Sequence, residues 1–587
     1  MNKINFFVSF LAVLFFSSCS ETDEVSVNHR MAKGNVQYGG VFHSNEVENF
    51  RSLFPHSVGD VSSYNIGSQI YEGLVRLDQK NLEVTPGIAE KWEISSDGLE
   101  YTFTIRQGVY FHDDPCFSDG IGRELKVEDI IYSLHMLCTP GPMNDSYYLV
   151  IDRIEGARSH YEISEKGGKK SDDIKGIFKV DDRTFKIRLV KPFSGFLKVL
   201  ATASCWIFPK EAFDMYGEDM RVHCVGTGPF KVLKIVEDEV VILGKNKKYW
   251  RKDTFENQLP YLDALKYTFV KEKKSEILEF KKGNLDMIYR IPPEEIIEFK
   301  IDVNRDMGDF IEDEFTLQIA PSLSVQYYSF QHLSDVFKDI NVRKAFNYAI
   351  NKDRIVEYGL LGMGFPANNG IVPPSIIEYP IDSIVGYEYS PEKARRFLAK
   401  AGYPDGTGFP RLTLQINSGG SANIGVAEIV QKMLSDNLNV YVDLSVTSRS
   451  QHFDRVESGK SSFWKDAWLA DYSDPENFLC LFYGVNVPDD VEEKSFINST
   501  RYKSKDFDEL YEKANMEQDQ AKRMALYCKA DQKAIEDAVV IPLYYEKTVR
   551  LLKPYVKNFP LNSMEYRDFA VVYFNFQEYN QHLSLVH

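Results

Sequence analysis

The sequence predicts an α/β protein, and three stretches carry that prediction. Leu412, Leu414 and Ile416 alternate as a half-buried strand does, residues 423 to 437 read as a helix, and Val440, Val442, Leu444 and Val446 resume the alternation. A strand, a crossover helix and a second strand form a βαβ unit, whose strands pair in parallel. Val342, Ala345, Phe346, Ala349 and Ile350 fall at i, i+3, i+4, i+7 and i+8, the spacing of one helical face, behind Asn341 as the expected N-cap. A further helix opens at Ser390 with Pro391 in its first turn, stops at Gly402, and buries Ala394, Phe397 and Leu398. In open sheets of this class ligands settle beyond the carboxyl ends of the strands, so a crevice between domains is the expected site.

Earlier elements are mostly strands. Tyr101, Phe103 and Ile105 alternate with polar residues, Phe185, Ile187 and Leu189 do the same, and Asp97-Gly98 marks a tight hairpin. Gly226-Thr227-Gly228-Pro229-Phe230 reads as a corner whose glycines allow positive φ and whose proline fixes its own. Trp92, Tyr249 and Trp250 are expected as core anchors rather than ligand stackers.

The N-terminus does not belong to this body. A positive charge at Lys3, an apolar run from Ile4 to Phe16 and then Ser17-Ser18-Cys19 form a secretory signal. The run is too short to cross a bilayer as a mature helix, and no other stretch reaches the required ~20 apolar residues. The segment resembles the lipobox of bacterial lipoproteins, in which the cysteine becomes the lipidated first residue. Cys19 is then the lipidation site ending a signal over residues 1–19, and residues 20–34 a flexible tether.

Of the 587 residues, those beyond the signal and tether still exceed what one hydrophobic core serves, so two or three domains are expected. An apolar fraction of 43% and an aromatic fraction of 13% place it among folded globular proteins. A net charge of −17 argues against nucleic acid as partner and against a polybasic membrane face, because both need clustered Lys and Arg. The clusters at Lys271–Lys274 and Lys245–Lys248 are short and read as solvated faces. Beyond Cys19 stand Cys116, Cys138, Cys205, Cys224, Cys480 and Cys528, none at zinc-ligand spacing, so no metal is assigned. Cys205 and Cys224 could close a loop worth about 3 kcal/mol on the chain-entropy model, with buried free thiols the equal alternative.

Catalytic signatures are lacking. The sequence contains no GxSxG elbow, no HExxH, no phosphate loop and no GxGxxG between a strand and a helix, so neither an enzyme nor a cofactor is expected. Carboxylate pairs such as Asp113-Asp114 and Asp181-Asp182 sit in turns, where acids serve turn chemistry.

A resemblance runs through the mature chain. Tyr71-Glu-Gly-Leu-Val-Arg-Leu-Asp78, Pro86-Gly-Ile-Ala-Glu-Lys-Trp92 and Ser96-Asp-Gly through Phe111-His112 are followed by Lys126-Val-Glu-Asp-Ile-Ile-Tyr-Ser133, Val225-Gly-Thr-Gly-Pro-Phe230 and Asn341-Val-Arg-Lys-Ala-Phe346. Trp468-Leu-Ala-Asp-Tyr-Ser-Asp-Pro475 and Ile541-Pro-Leu-Tyr-Tyr545 complete the series. In that order these segments resemble family 5 extracellular solute-binding proteins, the peptide-, dipeptide- and nickel-binding components of ABC importers.

The resemblance implies a ligand site around residues 465 to 477. Asp471 stands where peptide-binding members pair an aspartate with the ligand's α-ammonium, a charge-assisted hydrogen bond in a closed cleft. The backbone of Ala467, Trp468 and Leu469 would pair with the ligand main chain as an added strand does. The bland alternative for Asp471 to Pro475 is an Asx turn pivoting on Asp474; a calcium loop would need a central glycine and terminal glutamate that the run lacks. Lys465, Arg455 and Arg449 are the basic residues upstream that could meet a ligand carboxylate, lysine without the bidentate fork of arginine. Near the start, Gly59 falls where some relatives have an acidic peptide contact, with Asp60 beside it.

The implied architecture is a bilobal periplasmic-binding-protein-like fold with an extra inserted domain, three domains in all with a hinge between the lobes. Residues 35–71, 206–320 and 545–587 would form lobe I, 72–205 the inserted domain, and 321–544 lobe II. The implied function is an extracytoplasmic receptor, a monomer tethered to a membrane only through lipidated Cys19 in the periplasm or at the cell surface. It would pass peptides to an ABC permease and ATPase. The alternative is a lipoprotein of the same fold that senses or adheres, or that binds a non-peptide solute such as a metal chelate.

Overall fold

A computed structural model describes residues 29–167, 174–292, 295–296, 299, 301–302, 305, 308–312, 314–417 and 421–586. The signal, Cys19 and the first part of the expected tether lie outside the described residues. Residues 30 to 34, also expected in the tether, instead fold onto the body. Arg30–Met31 pairs with Gln37–Tyr38, the Arg30 guanidinium lies 4.7 Å from the centre of the Tyr38 ring, and the Lys33 amide donates to Asn257 Oδ1 at 3.1 Å.

Three larger sheets organise the molecule. Phe230–Val236, Val240–Lys245 and Ala264–Thr268 run antiparallel, and Val41–Asn45 joins Ala264–Thr268 in parallel. The second sheet is antiparallel throughout: Ala89–Ile94, Glu100–Ile105, Thr184–Arg188 and Ile177–Lys179. Tyr101, Phe103 and Ile105 point inward from it and their polar neighbours outward, as alternation requires, and Gly98 turns its hairpin at φ 71°. One apolar core serves both sheets, with Phe42, Phe103, Phe185 and Leu265 among its members.

The third sheet contains nine strands, and Val540–Leu552 is its spine. Residues 540 to 544 of this strand pair with Ser324–Phe330, and residues 547 to 552 pair with Thr316–Pro321. Its two halves therefore belong to different cores: Ile541 and Leu543 pack with Tyr328, Phe346 and Leu414, whereas Val549 and Leu551 pack with Ile277, Leu285 and Leu317. The chain crosses the same divide a second time between Pro321 and Ser324. Two thin strand crossings between separately packed cores are the form of a hinge.

On the far side of the sheet the expected βαβ unit is present. Leu412–Asn417 and Val442–Thr447 pair in parallel around the helix Ser421–Leu438. Ser390 caps Pro391–Lys400, and Gly402 follows it at φ 95°. The helix Ile340–Ala349 buries Val342, Ala345, Phe346 and Ala349, but its cap is Asp339, whose carboxylate accepts from the Asn341 amide at 2.8 Å. Two residues of register separate this from the expected Asn341 cap, because aspartate and asparagine can each satisfy the free amides of a first turn.

The corner at Gly226 forms for a different reason than its glycines suggest. Neither Gly226 nor Gly228 has positive φ; a Cβ on Gly226 would stand 2.1 Å from the Ile70 carbonyl oxygen, and one on Gly228 2.6 Å from that of Gln69. Close passage of two backbones, not turn geometry, excludes side chains here. Cys116, Cys138, Cys205, Cys224, Cys480 and Cys528 are all free thiols, and Cys205 and Cys224 are both buried. Tyr249 is buried, while Trp92 and Trp250 are half-buried against the main core.

Candidate functional site

A cavity of about 360 Å³ opens where distant parts of the chain converge. Residues 58 to 65 form one wall, the loop 145 to 149 with residues 198 to 204 another, Arg290 and residues 563 to 565 a third, and residues 469 to 472 the last.

The last wall is built by the strand Phe463–Leu469. Full antiparallel register against Ser324–Phe330, from Phe330 opposite Phe463 to Ser324 opposite Leu469, fixes where that strand ends. The chain then turns, and Asn477 holds the turn: its Oδ1 accepts from the Asp471 amide and from Trp468 Nε1, both at 3.0 Å. The Asp471 side chain is left at the cavity. It keeps contact with solvent, but the surrounding walls strip away much of its hydration and raise its pKa above the ordinary value; the Asn477 amide opposes this and the nearby Glu476 adds to it. Among the described residues no cation lies within ion-pair distance of Asp471.

Three residues on, Asp474 is buried and fully compensated. One oxygen accepts from the Glu476 amide at 3.1 Å, the Asx geometry that starts the short helix Glu476–Leu479. The other accepts from Arg523 Nη1 at 2.7 Å and Lys198 Nζ at 3.2 Å. Burial pushes its pKa up, but Lys198 and Arg523 outweigh burial and hold it below the usual carboxylate range. Lys198 belongs to the helix Phe196–Leu200 on the opposite wall and also donates to the Ser473 carbonyl. On the same side Arg153 reaches to 3.8 Å from Glu476, which also receives the hydroxyls of Tyr472 and Tyr511, and the Ser194 amide donates to the Asn515 carbonyl at 3.3 Å. The walls therefore meet through polar contacts with charges matched across them.

Of the residues singled out from sequence, Asp471, Leu469, Gly59 and Asp60 line the cavity. Gly59 faces open space, and Asp60 caps the helix Val61–Gly67, its two oxygens taking the Ser63 amide at 2.8 Å and hydroxyl at 2.7 Å. Ala467 and Trp468 precede the cavity on the strand, half-buried. The basic residues upstream do not reach it. Lys465 lies on the strand opposite Tyr328, and burial lowers its pKa against the pull of Asp466 and Glu546. Strand geometry puts it about 13 Å from Leu469, at ~3.3 Å per residue. Arg455 and Arg449 sit on the helix Arg449–Glu457, where Arg455 Nε donates to Gln415 Oε1 at 2.8 Å and Arg449 stacks over Phe453. The missed residues, Asp145, Tyr148, Lys198, Arg290 and Glu565, come from segments with no local motif; folding alone assembles them. Among the described residues no three His, Cys, Asp or Glu side chains gather as a metal requires, and no helix is long and apolar enough to cross a membrane.

Two wall-closing segments joined by thin strand crossings, with a solvent-reachable charge between them, define a solute-binding protein. The chain belongs to the bacterial extracellular solute-binding proteins, family 5, whose description matches residues 83–489. It is 26% identical over 567 residues to Heme-binding protein A of Haemophilus influenzae, covering 95% of this chain and 96% of that protein. It is 27% identical over 539 residues to the periplasmic oligopeptide-binding protein OppA of Salmonella typhimurium, covering 89% and 91%. The structure of the ABC transporter-associated periplasmic binding protein DppA from Helicobacter pylori, in complex with the peptide STSA, superposes with a TM-score of 0.72 at 27% identity, over 92% of this chain and 98% of that one.

Proposed function

We propose that the protein captures peptides with a free amino end in this cavity and delivers them to an ABC import permease and its ATPase. The observation that carries the reading is Asp471: a carboxylate at the cavity wall, partly dehydrated, without a cation of its own among the described residues. An ammonium group supplies the missing charge, and the edge of Ala467 to Leu469 lies beside it for main-chain pairing. Residues 35–71, 206–320 and 545–587, then 72–205, then 321–544 act as three bodies, the last moving against the others about the two strand crossings as ligand closes the walls. Lipidated Cys19 is the membrane attachment of an extracytoplasmic protein. The OppA and DppA relatives are described as peptide binders, which supports this reading; Heme-binding protein A makes hemin the non-peptide control.

Calorimetry with a peptide and its N-acetylated form tests it. Asp471→Ala should weaken binding by roughly 2 to 5 kcal/mol, the cost of removing one partner of a desolvated charge pair, and acetylation should do the same to the unmodified protein. An ammonium holds Asp471 ionised, so its pKa in the complex falls below the raised value in the free protein. The affinity it contributes is present above the free-state pKa and is lost as pH falls through the pKa of the complex, with proton release on binding. Equal affinity for free and acetylated peptides, or tight binding of hemin alone, refutes the reading.

A further inference from the structure

The charges left over in the cavity point to the kind of peptide it takes, an inference that rests on the proposed peptide-receptor function. The lining carries four carboxylates, those of Asp60, Asp145, Asp471 and Glu565, and two cations, Lys198 and Arg290. Both cations are engaged: Lys198 with Asp474, and Arg290 with Glu565 at 3.5 Å. Asp60 is held by its helix cap, and Glu565 lies between Arg290 and Arg567. Two carboxylates remain. Asp471 has no cation, and the exposed Asp145 side chain makes no hydrogen bond or ion pair among the described residues, its backbone amide alone being tied, to the His56 carbonyl. Tyr148, in the same loop as Asp145 and 45% exposed, comes close enough to Asp471 for the carboxylate to act on its phenol.

A cavity lined by two carboxylates without a cation among the described residues, with an aromatic ring in the same lining and both lining cations engaged, is suited to a ligand with two positive charges. We propose that the cavity selects peptides with a basic residue at the free amino end, the α-ammonium on Asp471 and the side-chain cation on Asp145 and the face of Tyr148. A neutral first residue leaves Asp145 to solvent and forgoes that pairing. An acidic first residue adds a third negative charge where no cation is free, and is rejected by repulsion.

Three tetrapeptides with free amino ends, Lys-Ala-Ala-Ala, norleucine-Ala-Ala-Ala and Glu-Ala-Ala-Ala, separate charge from length in calorimetry. The unmodified protein should bind the lysine peptide about tenfold more tightly than the norleucine peptide, which has the same reach without the charge, and the glutamate peptide most weakly. Asp145→Asn keeps the shape of a side chain that makes no hydrogen bond or ion pair among the described residues. It should cut the advantage of lysine to about twofold or less while leaving norleucine affinity in place. Equal binding of lysine and norleucine peptides, or a lysine advantage that survives Asp145→Asn, overturns the charge selection and leaves the receptor reading standing. Failure of all three to bind overturns both.

Discussion

Replacing Lys198 by methionine should loosen the contact that draws the cavity walls together. The lysine crosses from the helix Phe196–Leu200 to Asp474, whose side chain is 0% exposed, while its own is 25% exposed. An exposed ion pair contributes about 0.2 to 1 kcal/mol, whereas stranding a buried charge costs about 3 to 5 kcal/mol. Asp474 falls between these limits, because Arg523 stays at 2.7 Å and still compensates it after Lys198 is gone. A cost of ~1 to 2 kcal/mol follows, a factor of about 5 to 30 in the ratio of closed to open molecules. Methionine keeps the apolar stem and removes the charge, so the fold itself should persist. Small-angle scattering would show a larger radius of gyration with peptide present, and calorimetry a Kd raised by a similar factor. Arg523→Met is the contrast: it lies on the same side of the divide as Asp474 and should lower stability in urea, since the aspartate would lose its compensation whenever the walls part. Unchanged scattering and affinity in Lys198→Met would refute the role of the pair in closure.

Acid should weaken the fold through His56, which is buried between Phe54 and Phe208 and has its pKa pulled down to about 3 by burial. The folded state prefers neutral imidazole, so this stability is full above the unfolded pKa near 6.5 and is lost as pH falls; at pH 5 the loss is about 2 kcal/mol, and His56→Leu should flatten that part of a Tm against pH curve. Gly226→Ala forces a methyl to 2.1 Å from the Ile70 carbonyl oxygen and should cost ~1 to 3 kcal/mol or more in chemical denaturation, against little effect from Gly59→Ala, which meets nothing within 4 Å. Cys19→Ala should move the mature protein from the membrane to the soluble fraction, because a lipid on that residue is the single attachment proposed; a variant that stays membrane-bound with its signal removed rules the anchor out.

Elements with an internal period were legible from the chain alone. The alternation at 101 to 105 and the βαβ unit at 412 to 447 each bury one face, so hydrophobic spacing and structure are two views of one constraint. The sequence alone leaves the cap of Ile340–Ala349 open between Asp339 and Asn341, which are equally able caps, and only the backbone shows that Asp339 takes the free amide. The glycines at 226 and 228 announced a constraint without its kind: steric exclusion by residues 69 and 70 is a tertiary fact that a local reading takes for turn geometry. The site divided in the same way. Asp471 sits in a short run with a readable pattern, but Asp145, Lys198 and Arg290 stand far apart in sequence and meet only because distant parts of the chain converge at the cavity. Arg455 and Arg449 are the opposite case: near Asp471 in sequence, they stand on the helix Arg449–Glu457 away from the cavity lining, Arg455 tied to Gln415 and Arg449 stacked on Phe453 of its own helix.

The loop from 471 to 477 explains why a ligand charge and the meeting of the walls should be one event. It presents three carboxylates within six residues, Asp471, Asp474 and Glu476, and the opposite wall answers two of them with Lys198 and Arg153. With the walls together, charge is matched everywhere along the loop except at Asp471. An empty closed molecule must hold that carboxylate partly dehydrated and uncompensated, or protonate it, and either cost favours opening. A ligand that brings an ammonium removes the cost only when the walls have met around it, and that difference between states is what a binding free energy must contain if it is to drive closure. On the proposed role of Asp471, a ligand that fills the space without the charge would leave the penalty in place, so the loop would discriminate by electrostatics at the moment of closing and tolerate variety in shape elsewhere in the cavity.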